Sequence, residues 1–289
     1  MPTDSSKMQG KVCLITGANS GIGKVTALAL ARMGATVVMV CRDRAKGEAA
    51  QNEIKAQSGN NAVDLLLADL ASQQSIRQLV TDFQSRYKQL HVLINNAGLF
   101  VLNHTETGDG LETTFAVNYL APFLLTNLLL DTLKASAPAR IINVSSDAHV
   151  GAALNMDDLQ SKKRHGIMHP YGQSKLAVVM FTYELARRLE GTGVTVNTLH
   201  PGFVATNIGR SGVNPLLRPI LKLVFSRGIS PEEGAKTTIY LATSPDVEGV
   251  SGKYFVKSTP RRSAPISYDV ALQDQLWGES AKLVHLPVQ

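Results

Sequence analysis

Short β-branched and apolar runs alternate with helix-period stretches along most of the 289-residue chain, and that alternation limits the fold more than any other feature. The runs fall at 12–16, 36–40, 63–68, 92–95, 140–144 and 194–199, and their length and apolar content are those of strands buried on both faces. Between them, at 23–33, 43–57, 72–87, 111–134 and 171–190, apolar residues recur three and four apart, as on helices. Strands that follow one another through helices run parallel with right-handed crossovers. The spacing therefore predicts an α/β fold, a doubly wound parallel sheet with helices on both faces in a single domain over residues 1–289, with 253–256 as a further strand. A chain of this length can bury roughly three quarters of its unfolded surface, so neither metal nor disulfide is needed to hold it.

Two segments, 147–170 and 204–230, break the rhythm directly after strands. Ligands of open α/β sheets bind beyond the carboxyl ends of the strands, so both segments read as walls of a substrate pocket. Their apolar residues Val150, Leu154, Ile167, Met168, Phe203, Leu216 and Leu217 suit a hydrophobic substrate. Residues 216–225 read either as a lid or as an ordinary surface helix.

The glycine-rich turn after the first strand narrows the function. Thr16-Gly17-Ala18-Asn19-Ser20-Gly21-Ile22-Gly23 joins a strand to a helix, where glycines let the backbone approach a pyrophosphate and helix N–H groups point at it. About 20 residues further on, a site selecting NAD places a carboxylate against the ribose 2′-hydroxyl. This chain has Cys41 and Arg42 there, and a guanidinium can fork onto a 2′-phosphate, so NADP(H) is expected over NAD(H), with Arg44 and Lys46 assisting.

Other classes fall away on composition. With 44% hydrophobic and 18% charged residues the chain is neither disordered nor fibrous. Its net charge of +6 is spread out; the nearest basic cluster, Lys257, Arg261 and Arg262, reads as loop surface, and no nucleic acid is expected. Cys13 and Cys41 sit in apolar runs, as core residues in a reducing compartment do. The first eleven residues lack a signal-peptide pattern, and the greasy segment 120–130 is broken by Pro122, Thr126 and Asn127 and falls short of the ~20 residues of a membrane span. A cytoplasmic protein with a buried helix there is the expectation.

Four motifs, Thr16 to Gly23, Asn95-Asn96-Ala97-Gly98, Tyr171-x-x-x-Lys175 and Pro201-Gly202-x-Val204-x-Thr206, together resemble the short-chain dehydrogenase/reductase superfamily, in order and over nearly the whole chain. The 25-residue gap from Ser146 to Tyr171 and the tail Leu276-Trp277-Gly278-Glu279-Ser280 are similar to its retinol-dehydrogenase-like branch. The resemblance implies a Rossmann-type fold and selects Ser146 over Ser145 as a catalytic residue with Tyr171, Lys175 and Asn118, the last through a water-linked proton relay. It further implies cofactor contacts from Gly17, Asn19, Ser20, Gly21, Ile22, Gly23, Arg42, Asp69, Leu70, Asn96, Ala97, Gly98, Tyr171, Lys175, Pro201, Gly202, Val204 and Thr206. Asp69 and Leu70 would flank adenine, although a helix N-cap role for Asp69 competes with that reading. Assembly into a homodimer or homotetramer through the two longest helices is the family habit, with a monomer open.

The chemistry can also be argued from the residues. Reducing a carbonyl with hydride needs a proton donor beside the developing alkoxide. A phenol with a pKa of about 10 serves only if a cation favours its phenolate, and Lys175 lies one helical turn from Tyr171. Taken alone, the two would pass for an exposed i,i+4 pair of the kind common on helices. Ser146 can hydrogen-bond the substrate oxygen, and strand alternation sends Ser145 to the other face. His149, His165 and His169 raise a metal reading, but no acid or thiolate completes it, so no metal is expected. The expected function is an NADPH-dependent carbonyl reductase or alcohol dehydrogenase acting on apolar aldehydes or ketones. The alternatives are a light-dependent tetrapyrrole reductase and a non-catalytic NADP(H)-binding regulator.

Overall fold

The computed structural model describes residues 7–163, 168–204 and 228–287. Their strands are β1 (Val12–Thr16), β2 (Thr36–Cys41), β3 (Val63–Leu67), β4 (Val92–Asn95), β5 (Ala139–Val144), β6 (Val194–His200), β7 (Tyr254–Val256) and β8 (Thr259–Arg261). They form one sheet of order β3-β2-β1-β4-β5-β6-β7-β8, parallel except for the antiparallel β7–β8 hairpin. The helices are α1 (Gly21–Arg32), α2 (Arg44–Ser58), α3 (Gln73–Arg86), α4 (Thr113–Ala135), α5 (His169–Arg188), α6 (Pro231–Thr243) and α7 (Val270–Leu283).

Alternation along the central strands builds two cores. Cys13 and Ile15 of β1 face a layer made with Leu30, Ile54 and Leu241 from α1, α2 and α6. Leu14, between them, faces the opposite layer, with Phe83, Phe123, Phe181 and Trp277 from α3, α4, α5 and α7. Both faces of the sheet are therefore dry, which is why the strands read as continuous apolar runs rather than alternating ones.

Several details depart from the sequence reading. Helices α6 and α7 and strand β8 were not anticipated. Arg261 belongs to β8 rather than to a loop, although Lys257, Arg261 and Arg262 are all exposed. Leu154 is drawn into the core on the α4 side instead of lining an open pocket. Helix α4 is long and apolar enough to cross a bilayer, yet 78% of its most apolar window is buried inside the protein, which makes it a core helix. Helix α7 lies across α4 and α5, the helices on which subunit contact was expected: the Trp277 ring centroid is 5.0 Å from Phe123 and 5.8 Å from Phe181, and Ser280 Oγ is 2.7 Å from the Tyr119 hydroxyl.

The chain order reverses between β1 and β4, and at such a switch point the two flanking crossovers leave a crevice beyond the strand ends. A separate cleft of about 970 Å³ opens at the opposite, amino edge beside His91, Arg140 and Glu248, and no motif residue lines it.

Candidate active site

The crevice begins where β1 ends. Thr16 Oγ1 accepts the N–H groups of Asn96 and Ala97, both at 3.0 Å, and Asn96 Nδ2 donates to Thr16 O at 2.8 Å, so the turns after β1 and β4 are laced together. Gly17 turns with φ +66°, a conformation costly for residues with a Cβ. At Gly23 a Cβ would lie 2.3 Å from the Gly17 carbonyl oxygen, so only glycine lets α1 start this close to the turn. Helix α1 starts at Gly21, two residues before the expected position, with extended Ser20 as its N-cap. The Ser20 side chain makes no capping bond and the first turn holds no acid. Among the described residues the first N–H groups of α1 thus have no side-chain cap, and they suit a pyrophosphate. Asn19 is half-buried in the same turn, and Ile22 packs on Val204 and Ala235, tying α1 to the segment after β6.

At the end of β2, Arg42 is exposed and makes no ion pair or hydrogen bond among the described residues. Its expected helpers are engaged: Arg44 pairs with Glu48 at 3.5 Å and Lys46 with Asp43 at 3.3 Å. Asp43 caps α2 by accepting Lys46 N, and that bond, with the Lys46 ammonium, holds its carboxyl below the usual range. Past β3, Asp69 Oδ1 accepts Ala71 N, while Ser72 caps α3 by accepting Ser75 N. The capping role weighed for Asp69 therefore belongs to Ser72. Leu70 is half-buried beside Asp69.

The reactive corner forms where β5 meets α5. Pro170 in the first turn of α5 needs no N–H partner, and Tyr171 and Lys175 follow on one face. Lys175 is buried; its Nζ donates to Val144 O at 3.0 Å and stands 5.7 Å from the centre of the Tyr171 ring. Burial pushes the Lys175 ammonium down to about 8. It also raises the Tyr171 phenol above its ordinary value, and the Ser146 hydroxyl beside it pulls the other way. The Tyr171 ring, partly buried, meets Phe100 edge-on at 5.5 Å. Ser145 is buried and donates to Lys175 O at 2.8 Å, whereas Ser146 faces the site, as the alternation argument requires.

Asn118 sits in a π-turn, Ala116–Leu120, inside α4. Its Oδ1 accepts Leu99 N at 2.8 Å, and its Nδ2 donates to Leu99 O at 2.9 Å and to Ser174 Oγ at 3.1 Å. The side chain therefore holds the chain after β4 in place. A Cβ on Gly98 would come 3.4 Å from Asn118 Oδ1 and 3.5 Å from Lys175 Nζ, so the backbone there passes the reactive corner at close range. Asn95 anchors the same strand end from inside the sheet through Thr126 Oγ1 and Asn143 Oδ1.

Beyond β6, Pro201 leads into Gly202 at φ +93°, where a Cβ would lie 2.6 Å from Ile229 Cδ1, and Val204 bridges Ile229. Thr206, Ile167, His165, Leu216, Leu217 and the 216–225 segment lie outside the described residues. Val150 and Met168, between β5 and α5, and Phe203, after β6, are 59%, 56% and 51% exposed. Of the metal candidates, His149 has both ring nitrogens bonded within the protein, to Ser146 O and Ala264 N, and no metal-holding group of three gathers among the described residues. Sequence reasoning missed His200, whose Nδ1 accepts Asp147 N at 3.0 Å; its place at the end of β6 was the available signal.

A nicotinamide dinucleotide fits this crevice: glycine contacts that admit no Cβ sit at one end, and at the other a phenol and a buried ammonium meet where Gly98 passes. A phosphate cradle leading to a proton-exchanging phenol is the arrangement of an oxidoreductase that works on CH–OH groups with a nicotinamide cofactor. Residues 11–214 match the family described as short chain dehydrogenase, and the chain belongs to it. It is 47% identical to retinol dehydrogenase 14 of Mus musculus, over 97% of this chain and 88% of that protein. Against retinol dehydrogenase 13 of Homo sapiens it is 46% identical, over 96% of this chain and 85% of that protein. A crystal structure of a protein from Mycobacterium paratuberculosis superposes with TM-score 0.78 at 32% identity, covering 97% of this chain and 96% of that one. The Pseudomonas aeruginosa RhlG/NADP active-site complex superposes with TM-score 0.68 at 26% identity, covering 88% of this chain and 97% of that one.

Proposed function

We propose that this chain interconverts an apolar alcohol and its aldehyde or ketone with NADP(H), and that a retinoid-sized polyene is the substrate class to test first. The observation that carries the reading is the buried Lys175 ammonium 5.7 Å from the Tyr171 ring, with Ser146 beside the same phenol. When bound, the nicotinamide supplies or accepts the hydride. Tyr171 gives its proton to the substrate oxygen during reduction and takes it back during oxidation, the ammonium making the phenolate accessible. Ser146 orients the oxygen by a hydrogen bond. Asn118 holds Leu99, and with it the Gly98 backbone, against Lys175, and it serves the proton relay that refills Tyr171.

Support for an apolar substrate comes from the exposed Val150, Met168 and Phe203 in the segments after β5 and β6, and from the relatives named retinol dehydrogenases. NADP(H) preference rests on Arg42, whose guanidinium has no partner among the described residues and no neighbouring acid in sequence except Asp43, which is bound to Lys46. Two free, buried cysteines agree with a cytoplasmic, reducing setting, which subcellular fractionation checks.

The test is loss of reduced-nicotinamide absorbance with NADPH or NADH and a panel of all-trans-retinaldehyde, straight-chain aldehydes and small polar aldehydes, in the dark. The reading expects turnover with NADPH and the apolar members. Turnover only under illumination with a tetrapyrrole would favour light-driven reduction, and cofactor binding with no turnover would favour a regulator.

A further inference from the structure

We propose that His149 and His200 are positioning residues that grip the two ends of the Ser146–Asp147 peptide group and thereby aim the Ser146 hydroxyl. This rests on the reading that Ser146 orients the substrate oxygen. The carbonyl of that peptide takes the His149 ring through Nδ1 at 2.7 Å, and its N–H donates to His200 Nδ1 at 3.0 Å. The grip comes from two directions, since His149 follows the serine in its own turn and His200 ends the neighbouring strand β6.

The partners fix the tautomers. Ala264 N donates to His149 Nε2 at 3.2 Å, so that nitrogen is bare and Nδ1 carries the proton given to Ser146 O. His200 accepts at Nδ1, which leaves its proton on Nε2. One ring is thus a donor and the other an acceptor to the same peptide plane, and both must be neutral. Burial pushes both imidazoles below the ordinary histidine value, against the opposing pull of Asp147. His149 is fully buried, with its ring 4.8 Å from Tyr254 on β7, so the grip is anchored to the sheet and to the segment at Ala264.

A turn of this kind needs less than it has. Ser146 O already accepts His149 N at 3.2 Å, which closes the three-residue turn without any ring. Ser146 Oγ itself accepts Ala148 N at 3.2 Å, so the position of the hydroxyl follows the backbone of this turn. A rotated peptide plane swings the serine Cα–Cβ bond, and misplacement by about 1 Å at a reacting centre can cost ~100-fold in rate.

The test is a cycle of His200→Leu, His200→Asn and Ser146→Ala, alone and combined, with kcat, KM and NADPH affinity measured for each. His200→Leu is expected to lower kcat about 10- to 100-fold with NADPH affinity within about twofold, and His200→Asn, whose Oδ1 can accept Asp147 N, to recover most of it. In the Ser146→Ala background His200→Leu should cost nothing further, because the group it aims is gone. A wild-type kcat for His200→Leu, or the same factor lost with and without Ser146, overturns the proposal. If Ser146→Ala alone keeps the wild-type rate, the serine reading fails, and this inference goes with it. Nitrogen chemical shifts of the imidazoles in the unmutated protein give a second check. They should report a proton on Nδ1 of His149 and on Nε2 of His200, and the same tautomer in both, or a charged ring at pH 7, contradicts the grip.

Discussion

The two ends of the crevice are made of different material. At the β1–α1 turn the work is done by main chain: Gly17 turns at positive φ, Gly23 admits no Cβ, the N-cap serine makes no capping bond among the described residues, and the first-turn N–H groups of α1 suit an anion. At the β5–α5 corner the work is done by buried polar side chains, with Lys175 on Val144 O, Asn118 on Leu99, Ser145 on Lys175 O and Ser146 beside Tyr171. A phosphate asks only for N–H groups and close approach, which any sequence with the right glycines supplies. Proton transfer asks for particular functional groups in set protonation states, and holding those in a dry interior costs stability. The two ends should therefore respond to mutation in opposite ways.

The largest effect on cofactor binding is expected at Gly23→Ala. Its Cβ meets a backbone oxygen at 2.3 Å, which no side-chain rotation relieves, so NADPH affinity should fall at least ~100-fold and stability by about 1–3 kcal/mol. Fluorescence titration and thermal unfolding measure both.

Lys175→Met should instead separate activity from stability. The native ammonium titrates at about 8 against an ordinary value of 10.5, so the unfolded chain holds that proton more tightly. Below pH 8 both states are protonated and the burial penalty is complete; between 8 and 10.5 the native protein sheds the proton and the penalty shrinks. The variant should thus lose ~100-fold or more in kcat. At pH 7 it should gain stability, by about 3 kcal/mol at most, and that gain should fade as the pH rises through this window. Denaturant melts at pH 7 and pH 10 test the sign.

Arg42→Asp should raise KM for NADPH about 10- to 100-fold and change KM for NADH less than about threefold, because only the former carries a 2′-phosphate. Steady-state kinetics with each cofactor decides it. Ser20→Ala should do least, leaving NADPH affinity within about threefold, since that side chain caps nothing.

Much of this was legible in sequence because it is local. Strands β1 and β4 were placed to the residue, and β2, β3, β5, β6 and β7 to within one, since buried parallel strands announce themselves as apolar runs. The glycine turn and Asn95–Gly98 fall at the ends of β1 and β4, and Tyr171 and Lys175 share a face of α5. What was not legible depends on partners far along the chain. His149 and Ala264 are 115 positions apart, and Thr16 and Asn96 80, so no window of sequence holds either pair. The β7–β8 hairpin turns through Lys257 and Ser258, both at positive φ, where Asn-Gly would have been recognised. Helix α6 did carry a start signal, Ser230-Pro231-Glu232-Glu233 with Ser230 accepting Glu233 N, but it straddled the end of the segment read as pocket wall. The π-turn at Asn118 leaves no trace in the apolar periodicity of α4.

The central claim, that the Tyr171 phenol is the acid of this site, is tested most directly by Tyr171→Phe assayed with NADPH and an aldehyde that the unmutated protein reduces. The account predicts that kcat falls by ~1,000-fold or more while NADPH still binds with unchanged affinity. A variant that binds NADPH and still reduces the aldehyde at the original rate would contradict it.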